Sequence, residues 1–166
     1  MSIFPTRILL ATEGSEEATL AAQTAADLAD KTNSELHVVY VGELNYGYPS
    51  YVIPDPEYMQ RVQQKITQEA RELLDAEMEQ VKAAGASVVK AHLSMRSPDV
   101  EIVKLAEGIG AGLIVVGSRG LGGIRRALMG SVSDSVVRYA HCPVLVVRKE
   151  ESAAAEEAGP EEVGLV

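Results

Sequence analysis

The chain has 166 residues, 46% of them hydrophobic and 23% charged, with a single cysteine. That balance fits one globular domain with one core, and excludes a disordered chain or a disulfide-built one. A net charge of −9, no apolar run of membrane-spanning length and no signal-peptide pattern at the N-terminus argue against nucleic acid and membranes as partners, and the unpaired Cys142 adds the expectation of a cytoplasmic protein.

Arg7 to Thr12 is a short apolar run and predicts the first strand. Glu13-Gly14-Ser15 then turns into a helix from about Glu16 to Lys31. Ser15 is its N-cap, and Glu16 and Glu17 stand in the first turn, where the helix dipole favours them. Leu20, Ala21, Thr24, Ala25 and Leu28 recur at helical spacing as a buried face. Glu35 to Val41 predicts the second strand. Gly42 to Pro56, rich in Tyr, Pro and Gly, cannot be a regular helix and is long for a connection. Its Tyr46, Tyr48 and Tyr51 either anchor a surface loop, the commoner role, or pack over a ligand or partner chain.

Glu57 to Ala84 is a long helix with Val62, Ile66, Ala70, Leu73, Leu74, Met78 and Val81 as its apolar stripe, ended by Gly85. Ser87 to Leu93 alternates into a third strand. Ser97 caps the next helix, with Pro98 in its first position and an end near Glu107. Leu113 to Val116 reads as a fully buried strand. Ser131 to Ala140 forms the fourth helix, and Ser131-Val132-Ser133-Asp134 resembles a capping box with Asp in the last place. Pro143 leads into the last strand, Val144 to Val147. From Glu150 onward Ala, Glu, Gly and Pro dominate, so residues 1–149 are read as the domain and 150–166 as an acidic, disordered tail.

Strands alternating with helices predict an α/β fold: a doubly wound, five-stranded parallel sheet in the order 3-2-1-4-5, with helices on both faces. The first and fourth strands are then central neighbours, and the crevice beyond their carboxyl ends is where such sheets bind ligands. Between the fourth strand and fourth helix lies Gly117-Ser118-Arg119-Gly120-Leu121-Gly122-Gly123, continuing to Gly130-Ser131. Glycines there let backbone N–H groups approach an anion closely. A nucleotide is therefore the expected ligand.

The pattern Gly117-x2-Gly120-x9-Gly130-Ser131 resembles the ATP-binding signature of the universal stress protein family. Arg7-Ile8-Leu9-Leu10-Ala11-Thr12 with Gly14-Ser15 is similar to the family's opening strand and turn. Gly130-Ser131-Val132-Ser133 and His141-Cys142-Pro143-Val144-Leu145-Val146-Val147 are similar to its closing helix and strand, and the resemblance covers roughly residues 5 to 148. It implies ATP as the ligand, with a companion magnesium or manganese ion left open. It also implies that Ala11, Thr12 and Glu13 line the adenine and ribose side and that Val41 packs on the base. Val116 and Gly117 would border base and ribose, with Ser118 and Arg119 in the same loop. Gly120, Gly130, Ser131, Val132 and Ser133 would approach the phosphates. Glu13 departs from the pattern, since the family usually has Asp there; its carboxylate is displaced by one methylene.

Taken alone, Ser131 is equally a helix cap, and both roles can coexist. Arg125 and Arg126 pair with phosphates or a partner subunit, or remain solvated. His37, His92 and His141 are scattered without metal-ligand spacing and read as structural or surface residues, and Cys142 as a small buried one. There is no GxxxxGK[ST] loop, no G-x-S-x-G elbow and no nucleophile–base pair, so no catalytic residue is assigned and fast ATP hydrolysis is not expected. The resemblance further implies a homodimer, and the short apolar last strand is an edge that pairing with a second copy would hide. Two other readings compete. One is a nucleotide-free dimeric, chaperone-like member of the same family, using the Tyr-rich segment as its partner surface. The other, a small hydrolase or nucleotidyl transferase, is disfavoured by the missing catalytic constellation.

Overall fold

Ile8, Leu9 and Leu10 have no exposed surface and Ala11 only 7%, the mark of a strand covered on both sides. They belong to β1 (Arg7–Thr12), the middle strand of the sheet in the computed structural model, which describes residues 2–42, 53, 55–83, 85–118 and 129–149. The other strands are β2 (Glu35–Val41), β3 (Val88–Ser94), β4 (Leu113–Gly117) and β5 (Val144–Val147). All pair in parallel, in the order β3-β2-β1-β4-β5. The predicted order holds, with β1 directly beside β4 through Ile8 to Leu113, Leu9 to Ile114 and Leu10 to Val115.

Alternation along β1 divides the core in two. Ile8 and Leu10 point into a layer with Leu36, Val38, Leu113 and Val115, covered by α1 (Glu16–Thr32) and α2 (Pro56–Ala83). Leu9 and Ala11 point the other way, with Val39, Val41, Ile114 and Val116, covered by α3 (Pro98–Ile109) and α4 (Ser131–Tyr139). Two helices on each face is the doubly wound arrangement.

Local chemistry sets most of the ends. The Ser15 hydroxyl accepts from the Ala18 N–H at 3.1 Å and caps α1, while Asn33 closes it in the left-handed conformation at φ 52°. Gly110 ends α3 the same way. Three expectations are corrected. The face of α1 against the sheet is Ala18, Ala21, Ala22, Ala25, Ala26 and Ala29, with Leu20, Thr24 and Leu28 only half-buried, because small side chains let the helix lie close to the strands. On α2 the inward row is Ala70, Leu74, Glu77 and Val81, and Leu73 faces outward. Helix α4 is capped by Gly130, not Ser131, so no capping box forms; Asp134 instead accepts from Arg138 one turn on, at 2.8 Å. Ser97 does stand at the cap of α3, but its hydroxyl donates to the Asp99 carboxylate at 2.8 Å rather than serving the helix backbone.

Candidate functional site

The carboxyl ends of β1, β2 and β4 meet the first turns of α1 and α4 at one edge of the sheet. From β1 come Ala11 and Thr12, both buried, and then Glu13, half-buried. Gly14 follows at φ +84°, a conformation that suits glycine and turns the chain sharply into α1. The Ser15 hydroxyl donates to the Glu13 carboxylate, which fixes that side chain over the strand end. Burial pushes the Glu13 carboxyl above its ordinary range; the Ser15 bonds oppose this, while Glu77 and Glu17 add to it by repulsion. From β2 comes Val41, buried, and Gly42, whose N–H donates to the Ser94 carbonyl at 2.9 Å.

The β4 side is more tightly built. Val116 is buried, and a Cβ on Gly117 would lie 3.0 Å from the Glu17 carbonyl carbon and 3.1 Å from the Ala18 nitrogen. The room that a glycine leaves at 117 is thus already filled by the first turn of α1. Ser118 is fully enclosed, its N–H donating to the Val147 carbonyl at 2.7 Å and its carbonyl accepting from the Gly130 N–H at 2.7 Å. The chain therefore leaves β4 at Ser118 and returns to the same point at Gly130, before α4. Arg119, Gly120, Arg125 and Arg126 lie outside the described residues, as do Tyr46, Tyr48, Tyr51 and the acidic tail.

At the start of α4, the Ser133 hydroxyl donates to the Gly117 carbonyl at 2.7 Å and is buried. Its proton is committed to holding α4 against β4. Within the helix the first backbone bond is from the Asp134 N–H to the Gly130 carbonyl at 2.9 Å. The N–H groups of Ser131, Val132 and Ser133 have no acceptor within the helix, and Gly130 has no side chain to cap them. Ser131 itself is exposed. Such an end attracts an anion. On the far side, the Asp99 carboxylate accepts from the Ser135 hydroxyl at 2.8 Å, a bond that ties α3 to α4 and, with the Ser97 bond, holds its carboxyl below the ordinary range.

Of the predicted residues, Ala11, Thr12, Glu13, Val41, Val116, Gly117, Ser118, Gly130, Ser131, Val132 and Ser133 all stand at this edge. Ser118 and Gly117 are structural supports, and Ser131 to Ser133 offer backbone donors. Sequence reasoning missed Glu77, a buried acid on α2, and the meeting of His37 with His92. Their ring nitrogens face each other at 3.3 Å, with near-parallel rings and centroids 5.6 Å apart. The difference between those distances is about two ring radii, so the rings lie edge to edge across β2 and β3 rather than face on face. Burial holds both imidazoles below their ordinary pKa. Cys142 is half-buried, beside the β5 end of the α3–α4 layer, because it precedes the strand proper.

Among the described residues no three His, Cys, Asp or Glu side chains gather to hold a metal ion, and no helix is long and apolar enough to cross a membrane. An open cavity of about 320 Å³ between α1 and α2, lined by Thr19, Ala22, Gln23, Gln80 and Ala83, carries no titratable group.

The profile of the universal stress protein family matches residues 5–148. A putative universal stress protein of Staphylococcus haemolyticus is 37% identical over 145 residues, covering 87% of this chain and 85% of that one. The solved universal stress protein UspA from Lactobacillus plantarum superposes with a TM-score of 0.73 at 26% identity, over 87% of this chain and 99% of that one. Another solved universal stress protein, in complex with cAMP, superposes with a TM-score of 0.64 at 26% identity, over 88% of this chain and 98% of that one.

Proposed function

The chain belongs to the universal stress protein family, and on that footing we propose that it binds an adenine nucleotide, ATP, as a conformational signal with little or no turnover. The observation that carries the proposal is the bare amino end of α4. Ser131, Val132 and Ser133 present backbone donors that Gly130 leaves uncapped, next to the strand end where Ser118 and Gly130 are joined. The solved relative in complex with cAMP supports an adenine nucleotide as the class. These residues suit the group: an anion would satisfy donors that have no acceptor within the helix and no side-chain cap among the described residues. In this reading Ser131 to Ser133 hold the phosphates, with Arg119 and Gly120 beside them. Ala11, Thr12 and Glu13 hold the ribose and adenine, and Val41 and Val116 flank the base.

Among the described residues, nothing at the strand ends pairs a nucleophile with a base. The Ser133 proton is spent on Gly117, and Glu13 is held by Ser15. Bound ATP supplies charge and contacts; the chain's residues bind it, orient it and transmit its presence through α1 and α4.

A homodimer through β5 belongs to the same proposal. Among the described residues that strand pairs only with β4, and all four of its residues are half-buried in the single chain; a second copy would cover the other side.

The test is to denature purified protein, identify any released nucleotide by chromatography, and titrate the stripped protein with ATP by calorimetry, with and without magnesium or manganese. Released adenine nucleotide, or saturable binding, supports the reading. No released nucleotide and no binding up to the millimolar range overturns it in favour of a nucleotide-free interaction protein. Glu13→Asp, which restores the shorter acid, is expected to tighten binding.

A further inference from the structure

Glu77 has no obvious reason to be where it is. It occupies an inward position of α2, in the row formed by Leu74 and Val81, and is only 4% exposed. Its Oε2 has no hydrogen-bond partner among the described residues, and neither has Oγ1 of Thr12, the equally buried residue that ends β1. The two groups are neighbours: the Thr12 hydroxyl is near enough to moderate the Glu77 carboxyl, and Glu77 near enough to repel Glu13. Around them stand Ser15 at the turn, Glu17 on α1 and Tyr40 on β2. No Lys, Arg or His of the described residues acts on either carboxyl.

Two neighbouring acids, one buried and one half-buried, with no cation of the described residues acting on them, are each pushed toward the protonated form by burial, and Glu13 also by like charge. The surroundings decide which one keeps its proton: Glu13 is only half-buried and accepts from Ser15, which favours its charged form, whereas Glu77 is 4% exposed with an orphan oxygen, and only the Thr12 hydroxyl favours its charge. A protonated Glu77 can donate to Thr12, which satisfies both orphans at once and, unlike an ionised Glu77 accepting from that hydroxyl, leaves no charge buried there.

We propose that Glu77 is a positioning residue for the nucleotide site: it stays protonated at neutral pH, donates to Thr12, and leaves the one negative charge of the pair on Glu13, free to accept from a hydroxyl or amine of the ligand. The ligand half of this rests on the nucleotide reading above; the proton half does not. Raising the pH strips Glu77, places a second charge beneath the end of β1 and weakens the hold on an anionic ligand. Burial is the largest influence on both carboxyls and raises both, with Ser15 opposing at Glu13 and Thr12 at Glu77, so it is the fuller enclosure of Glu77 that assigns the proton to it.

Carbon-13 NMR of the glutamate carboxyls in the full, nucleotide-free chain tests the proton directly, over the range from about pH 4 to about pH 9. The expected spectrum has one carboxyl still protonated at neutral pH, absent in Glu77→Gln, and in that variant the Glu13 titration moves to lower pH. A Glu77 carboxyl that ionises in the ordinary carboxylate range overturns the proposal, as does a Glu13 curve indifferent to the substitution. Should Glu77→Gln fail to fold, the wild-type spectrum still decides, since no carboxyl protonated at neutral pH means no stored proton. For the ligand half, wild-type affinity for ATP should fall on going from neutral to alkaline pH, and Glu77→Gln, locked neutral, should bind several-fold more tightly than wild type at about pH 9. Parallel pH profiles for the two proteins overturn the linkage. No ATP binding by either overturns the nucleotide reading, while the carboxyl titration still judges Glu77.

Discussion

Gly117→Ala separates a glycine kept for the fold from one kept for a ligand. The added Cβ would meet the Glu17 carbonyl carbon and Cβ at 3.0 Å and the Ala18 nitrogen at 3.1 Å. Ordinary carbon contacts settle at about 3.5–4.0 Å, so the first turn of α1 must retreat by about 0.5 Å or more. Two of the three atoms are backbone and cannot swing aside. Retreat also disturbs the alanine face of α1, buried against both β1 and β4. Overpacking of this kind costs about 1–3 kcal/mol, and in a domain of this size each kcal/mol lowers the midpoint by about 2–4 °C. The expected loss is therefore about 2–12 °C, seen in thermal unfolding of the nucleotide-stripped protein. Gly108→Ala is the control: nothing lies within 4 Å of its Cβ and it sits inside α3, so it should gain about 0.5–1 kcal/mol. A stripped Gly117→Ala protein that melts with the wild type, yet binds ATP poorly, would refute the reasoning and return that space to the ligand.

Ser133→Ala removes the buried bond to the Gly117 carbonyl and should lower stability by about 1–3 kcal/mol in denaturant unfolding, since the carbonyl is left enclosed without its partner. Gly130→Asp supplies the missing cap; at φ −74° the backbone there is one any residue adopts, so the stripped protein should gain a few tenths of a kcal/mol while the new carboxylate competes with phosphate and ATP affinity falls about tenfold or more. Equal affinity would remove the α4 terminus from the site. The His37–His92 pair makes stability acid-sensitive: both folded pKa values lie below 6.5, through burial first, with Arg7 and Lys90 adding to it and Glu35 opposing at His37. The unfolded chain therefore takes up protons that the folded one refuses, and stability falls as pH drops below about 6.5. His92→Gln should flatten that fall in melting temperature against pH; an unchanged slope would place the acid sensitivity elsewhere.

The strand order and the site's address were legible because they follow from local signals. Apolar runs, a Ser cap, a Pro at the first helical position and the glycine after Val116 each act within a few residues, and alternation then leaves few topologies. What escaped was decided by neighbours distant in sequence. His37 and His92 meet because β2 pairs with β3, across a register irregularity at Leu36/His37. Glu77 hid in a polar stretch of α2, although its spacing from Leu74 and Val81 already places it on their row. Ser131 looked like a cap by residue type, whereas the cap position went to Gly130, whose N–H is engaged by Ser118.

Helices α1 and α4 begin at the same edge of the sheet, and their amino ends are treated oppositely. At α1 the Ser15 hydroxyl caps the Ala18 N–H, Glu16 and Glu17 occupy the first turn, and the backbone is pressed against Gly117. That end is closed and its dipole already answered by acids. At α4 the cap residue has no side chain, the Ser133 hydroxyl points back to β4, and Asp134 is turned to Arg138. That end is open. The two described glycines of the signature, Gly117 and Gly130, therefore do different work: Gly117 lets α1 close over β4, and Gly130 leaves the amino end of α4 without a side-chain cap. Under the proposed function, a chain keeping Gly117 while capping position 130 would retain this fold and lose the proposed anion site, so Gly130 is the glycine whose substitution tests binding.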